Sequence, residues 1–245
     1  MNVHSDHAHL GDTQWALHAL YRMPGTHTLR CKAEYVDALR EIVAGTNIFV
    51  EDCSAIPPDS RDYWIASGLY ERVGVRYQDN VDILGFVQKY FNAMAAEVGF
   101  EPCFPTRESM TCAWPSIQQY DAEVHSKFRG ILFINCDPKS GQCPCYSSSE
   151  MDALIRKTED AGHSVLAVEK AELSLVQIGA LSIHTKLIVG CATGPFWVTA
   201  NRWNVDTQRI VMLDPMRLDY GTSCPSLYAK NAAEVEKIME GMGFL

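Results

Sequence analysis

The sequence predicts an α/β protein of two three-layer halves, each with its own parallel sheet. Two observations carry this. Short apolar runs alternate with amphipathic helical patterns along both halves, the order that builds parallel sheets with right-handed crossovers. Gly130 to Asn135 and Leu187 to Val189 are continuously apolar, as strands covered on both faces are. A third observation concerns function. Two Gly-containing turns, His9-Leu10-Gly11-Asp12 and Gly190-Cys191-Ala192-Thr193-Gly194-Pro195, each join a strand to a helix. That geometry aims free backbone N–H groups at an anion.

The elements follow in order. A short apolar start (Met1 to His4) precedes a turn, and Trp15 to Tyr21 reads as a helix with Asp12 or Thr13 as N-cap. Pro24-Gly25 stops it, and His27 to Cys31 alternates as a strand does. Ala33 to Ala44 is helical, with Tyr35, Val36, Leu39, Ile42 and Val43 at helical spacing. Ile48 to Val50 is a short buried strand, and after an irregular stretch Val81 to Val98 forms a long helix. Glu101 to Ser116, rich in Pro and Thr, has no period, and the boundary between the halves is placed between Phe104 and Phe128, giving domains of 1–120 and 121–245.

In the second half, Gly130 to Asn135 is a strand and Pro138 to Ser149 a loop. Glu150 to Ala161 is a helix ended by Gly162, and Ser164 to Val168 is a strand. Leu173 to Leu181 is a helix, Leu187 to Val189 a strand, and Gly194 to Trp203 is helical. Arg209 to Leu213 is a strand and Ala229 to Met242 a terminal helix.

Composition bounds the partners. The 245 residues carry a net charge of −9 with no basic block, which disfavours non-specific binding to nucleic acid or anionic membrane. The start is polar and no apolar run approaches the length of a membrane span, so a cytoplasmic location is expected. The nine cysteines are odd in number and irregular in spacing, which suits free thiols in a reducing compartment. Cys136, Cys143 and Cys145 lack the second Cys/His doublet that a zinc site would need.

The turn His9-Leu10-Gly11-Asp12 resembles the G-x-L-G-D turn of the ADP-heptose (family 9) glycosyltransferases. The segment Gly179 to Ala200 resembles their L-x-V-G-x-D-[ST]-G-P-x-H pattern, and Ile131 to Gln142 and Glu150 to Lys170 match the units that open the family's second domain. The resemblance implies a GT-B-like fold, two Rossmann-like domains whose parallel sheets face a cleft. It implies an acceptor domain at 1–120 and a nucleotide-sugar donor domain at 121–245. The implied reaction moves a sugar from a nucleotide diphosphate to a hydroxyl, inverting and metal-independent, with no cofactor beyond the donor. Asp12 would be the base that deprotonates the acceptor. Thr193, Gly194, Pro195 and the N–H groups from Phe196 onward would cradle the diphosphate, with Lys139 adding a cation and Glu169 holding ribose hydroxyls. His7, His9 and Gly11 would line the acceptor pocket. Two departures stand out. Ala192 replaces the family's acidic residue, and its His is replaced in the Phe196-Trp197 region.

Three other readings compete. His4, His7 and His9 make a dense cluster that suits a metal-dependent hydrolase. His184-Thr185-Lys186 with Asn201 mimics a phospholipase D-like signature, without its Asp or a second copy. A catalytically inactive nucleotide- or sugar-binding protein is also compatible with Ala192. The acceptor is a glycan or a small molecule, or a modified DNA base if Arg22, Arg30, Lys32 and Arg40 form a basic stripe.

Overall fold

A computed structural model describes residues 1–6, 9–65, 70–75, 83–124, 128–134, 147–213 and 224–245. The first half runs β1 (Asn2–Ser5), α1 (Leu10–Arg22), β2 (His27–Cys31), α2 (Ala33–Ile42), β3 (Ile48–Asp52) and β4 (Tyr63–Trp64). Helices α3 (Ile83–Glu97) and α4 (Pro115–Val124) follow. The second half runs β5 (Ile131–Ile134), α5 (Ser148–Asp160), β6 (Val165–Ala167), α6 (Val168–Ala171), α7 (Leu175–His184), β7 (Leu187–Cys191), α8 (Gly194–Trp197), β8 (Gln208–Met212), β9 (Leu227–Ala229) and α9 (Ala232–Gly241).

Two parallel sheets result. The first has the order β3-β2-β1-β4, with Val3 opposite Leu29 and Leu29 opposite Val50. The second has the order β6-β5-β7-β8-β9, with Ile134 opposite Gly190. Strands β5 and β7 are buried along their whole lengths, which is why their sequences are apolar without alternation.

Helix α1 positions the candidate site. Residues from Thr13 to Leu20 are all buried, so the helix lies between the first sheet on one side and α3 and α8 on others. Its N-cap is His9, three or four residues before the expected Asp12 or Thr13. Asp12 is the third helical residue, and its Oδ2 accepts the His9 N–H at 3.2 Å from inside the helix. A carboxylate in the first turn satisfies an orphan N–H from either place, so the residue was informative and its position ambiguous.

The structure corrects other boundaries. Helix α8 ends at Trp197 rather than Trp203. Beyond it the chain stays buried through Asn201, which forms a β-bridge with Cys112 and donates from Nδ2 to Gly179 O and Ser182 Oγ. Strands β4 and β9, of two and three residues, are too short to show a period. Helix α4 was hidden in the Pro-rich stretch, where Pro115 occupies the first helical position, the one place its missing N–H costs nothing. Residues 120 and 121 fall inside α4, which packs against α7 and α2.

Candidate functional site

Both Gly-containing turns follow strands at topological switch points. In the first sheet the chain runs β1, β2, β3 to one side and then places β4 on the other side of β1. The turn after β1 therefore opens beside the crevice where the order reverses. In the second sheet β6 lies on one side of β5 and β7 on the other, and the Thr193 turn follows β7. Crevices at the carboxyl ends of such strands are where open α/β sheets bind ligands.

The structure brings the two turns together. A Cβ placed on Gly11 would lie 3.9 Å from Gly194 N and 2.9 Å from Trp197 Cδ1, and one on Gly194 would meet Leu10 at 2.6 Å. Both positions need glycine because of this close approach, and neither has a positive φ. Gln14 donates from Nε2 to Gly194 O at 2.9 Å, a buried bond between the halves. Trp197 packs edge-on to Trp15 with centroids 5.0 Å apart. Gln14, Trp15, Leu10 and Trp197 are contributors that motif matching missed. Their signal lay in helical spacing, since Gly11, Gln14 and Trp15 share one face of α1 at i, i+3 and i+4.

Asp12 is half-buried at this junction. Burial pushes its carboxyl above the usual carboxylate range, against the opposing pull of the His9 N–H and of the His9 and Lys32 charges. A carboxylate with a raised pKa is a stronger proton acceptor than an exposed one.

The Thr193 turn offers fewer donors than expected. Thr193 N–H is bound to Cys191 O at 2.7 Å, and the N–H groups of Phe196 and Trp197 both turn back to Thr193 O, at 3.0 and 3.1 Å. The Thr193 hydroxyl donates to Cys191 O. Pro195 has no N–H, so Gly194 N–H is the donor of this turn that the helix leaves over. Ala192 is buried at the place of the family's carboxylate.

The remaining candidates are scattered. Glu169 is exposed in α6, just past β6, on the same carboxyl edge of the second sheet. Lys139 and His7 lie outside the described residues, as do Cys136, Cys143 and Cys145. His9 is exposed at the start of α1. His4 is buried in the first sheet, donating to Asp62 Oδ2 at 2.9 Å and stacked on Trp64 at 5.0 Å. Among the described residues no group of three or more His, Cys, Asp and Glu side chains converges as a metal site. The basic residues proposed as a stripe are spent separately. Arg22 bonds Thr111 O, Arg30 bonds Glu51 and Asp62, Arg40 bonds Val50 O, and Lys32 lies over Tyr35. His184 ends α7 and bonds Asp121, as part of helix packing. No described helix is long and apolar enough to cross a membrane.

No protein-family model matches the chain, and no curated protein sequence matches it. Solved structures do. The heptosyltransferase WaaC of E. coli, solved with ADP, superimposes with a TM-score of 0.60 at 13% identity, over 99% of this chain and 98% of that one. The ADP-heptose LPS heptosyltransferase II of E. coli gives 0.59 at 13% identity, over 98% of each chain. A family 9 glycosyl transferase from Veillonella parvula gives 0.57 at 11% identity, over 99% of this chain and 88% of that one. Two parallel sheets meeting at their carboxyl edges are thus the GT-B arrangement, and this chain has the fold of the family 9 heptosyltransferases.

Proposed function

We propose that this chain is a glycosyltransferase that moves a sugar from a nucleotide diphosphate to a hydroxyl acceptor, inverting and without a metal or further cofactor. One observation carries the reading: the turns at the two switch points meet, placing the Asp12 turn against the Thr193-Gly194 turn. Asp12 takes the proton of the acceptor hydroxyl, its raised pKa matching that role. Gly194 N–H and the Thr193-Pro195 turn receive the diphosphate, Lys139 adds a cation, and Glu169 holds ribose hydroxyls from the end of β6, two strands away from β7. His7, His9 and Gly11 line the acceptor side in the 1–120 half, and 121–245 is the donor half. The WaaC structure holds ADP, which supports a nucleotide donor here. The donor site is closed by Trp197 and Leu10, so admission of the diphosphate separates the two turns and breaks the bond from Gln14 to Gly194.

A second reading, a binding protein without turnover, is favoured by Ala192 and by the tight packing of Trp197 on Gly11. One experiment separates them. A panel of nucleoside diphosphates is screened for thermal stabilisation, which a ligand at 100-fold its Kd raises by about 2.7 kcal/mol. The corresponding nucleotide sugars are then assayed for transfer or hydrolysis with the native chain and with Asp12→Asn. Stabilisation with turnover lost in Asp12→Asn supports the transferase. Stabilisation without turnover in the native chain identifies a binding protein, and no response to any nucleotide refutes both.

A further inference from the structure

A cavity of about 230 Å3 lies at the other end of α1, where the halves meet again. Its walls include His18, Tyr21 and Arg22 of α1, Thr111 and Trp114 of the connecting stretch, and Arg202 of the second half. Among the described residues no carboxylate lines it. In a chain of net charge −9, that is a local reversal of sign.

Its polar groups point to one chemistry. Arg22 donates to Thr111 O at 3.3 Å and lies over Phe104, and Arg202 lies over the Trp203 ring at 5.0 Å. Neither makes an ion pair among the described residues. A third guanidinium, Arg209, is buried nearby and bonded, among the described residues, to neutral oxygens of Thr199, Asn204 and Thr207. Cys112, between the lining residues Thr111 and Ala113, feels the charges of both Arg209 and Arg22. His18 adds a donor. Trp114 Nε1–H donates to His18 Nε2 at 3.1 Å, so the neutral ring carries its proton on Nδ1. That Nδ1 is buried without a partner among the described residues. A buried donor without a partner among the described residues, in a wall shared with guanidinium groups that make no ion pair there, is complementary to a compact oxyanion. The volume is below the roughly 300–1,000 Å3 of pockets that hold drug-sized ligands, so it suits a phosphate group and not a nucleotide.

We propose that this junction cavity is a second anion site, which binds a phosphate group through Arg22, Arg202 and His18. The six to ten residues from Asp12 to His18 and Arg22 separate it from the candidate base Asp12 by about 9–15 Å along α1. A phosphate there ties α1 of the first half to Arg202 of the second, on the helix that carries Asp12 at its other end.

The test follows the imidazole resonances of His18 by NMR while inorganic phosphate, or in parallel a sugar phosphate, replaces chloride at constant ionic strength. The two ligands distinguish the free ion from a phosphorylated end group. Either is expected to shift the His18 Nδ1–H signal. Arg22→Gln with Arg202→Gln is expected to weaken that response at least tenfold, and Thr193→Val to leave it intact. No shift with either ligand overturns the proposal. So does a response that survives loss of both arginines, or one lost only with Thr193→Val, which would put the phosphate at the donor turn.

Discussion

Replacing Gly11 by Ala tests the contact on which the site rests. Gly11 is the second residue of α1, where on helix propensity alone Ala would stabilise by about 0.5–1 kcal/mol. The structure reverses that sign. The new Cβ would lie 2.9 Å from Trp197 Cδ1 and 3.0 Å from Nε1. Carbon–carbon contact is optimal at roughly 3.5–4.0 Å, so the indole must retreat. Trp197 is 6% exposed and backed by Trp15, so it has little room. Overpacking of this kind costs about 1–3 kcal/mol, leaving a net destabilisation of up to about 2.5 kcal/mol. Urea denaturation of the native chain, Gly11→Ala, Trp197→Ala and the double variant measures it. Trp197→Ala alone is expected to cost about 3–5 kcal/mol. In its background Gly11→Ala should become stabilising, a coupling of about 1–3 kcal/mol. Equal stabilisation by Gly11→Ala in both backgrounds would refute the meeting of the two turns.

Three further outcomes are expected. Burial raises the Asp12 pKa above 3.8, so the folded chain holds that proton more tightly and ionisation costs stability as pH rises from 3.8 through the raised value. Asp12→Asn should therefore gain stability relative to the native chain at pH 7 compared with pH 3, and an equal difference at both pH values would refute the burial. His18 is held neutral by burial, its pKa lowered from 6.5 to about 3. The unfolded chain takes up that proton first, so the stability contributed by His18 falls by up to about 1.4 kcal/mol per unit as pH drops from 6.5 towards 3. Urea titrations should show a shallower slope for His18→Gln, and parallel slopes would refute the assignment. Gln14→Ala removes the bond that holds Gly194, worth about 0.5–1.5 kcal/mol. If the turns must part for the donor, nucleotide affinity in calorimetry should rise up to about tenfold; a fall would refute that gating.

Much of the fold was legible because strands covered on both faces must be apolar throughout. Gly130 to Asn135 and Leu187 to Val189 announced themselves in this way, and helices such as α2 and α5 bury one face only. Helix α1 was clear as a helix but not in its start, because Asp12 satisfies an orphan N–H from the third position as well as from the cap. Strands β4 and β9 and helix α4 were not legible, since two or three residues carry no period and a leading proline reads equally as a loop. At the site, the Gly-Asp and Thr-Gly-Pro turns were visible as local signals. Their meeting was not, nor were the roles of Gln14, Leu10 and Trp197.

The sequence by itself determined the alternation of the longer strands and helices in both halves and the two glycine turns, because periodicity and turn chemistry act over a few neighbouring residues. Only the tertiary structure decided that residues about 180 apart bond through Gln14 and Gly194, that Trp197 fills the gap over Gly11, and that His4 is committed to Asp62. Those facts depend on how two sheets are placed against each other. That placement is set by the summed packing of buried side chains from distant segments, which no local pattern encodes.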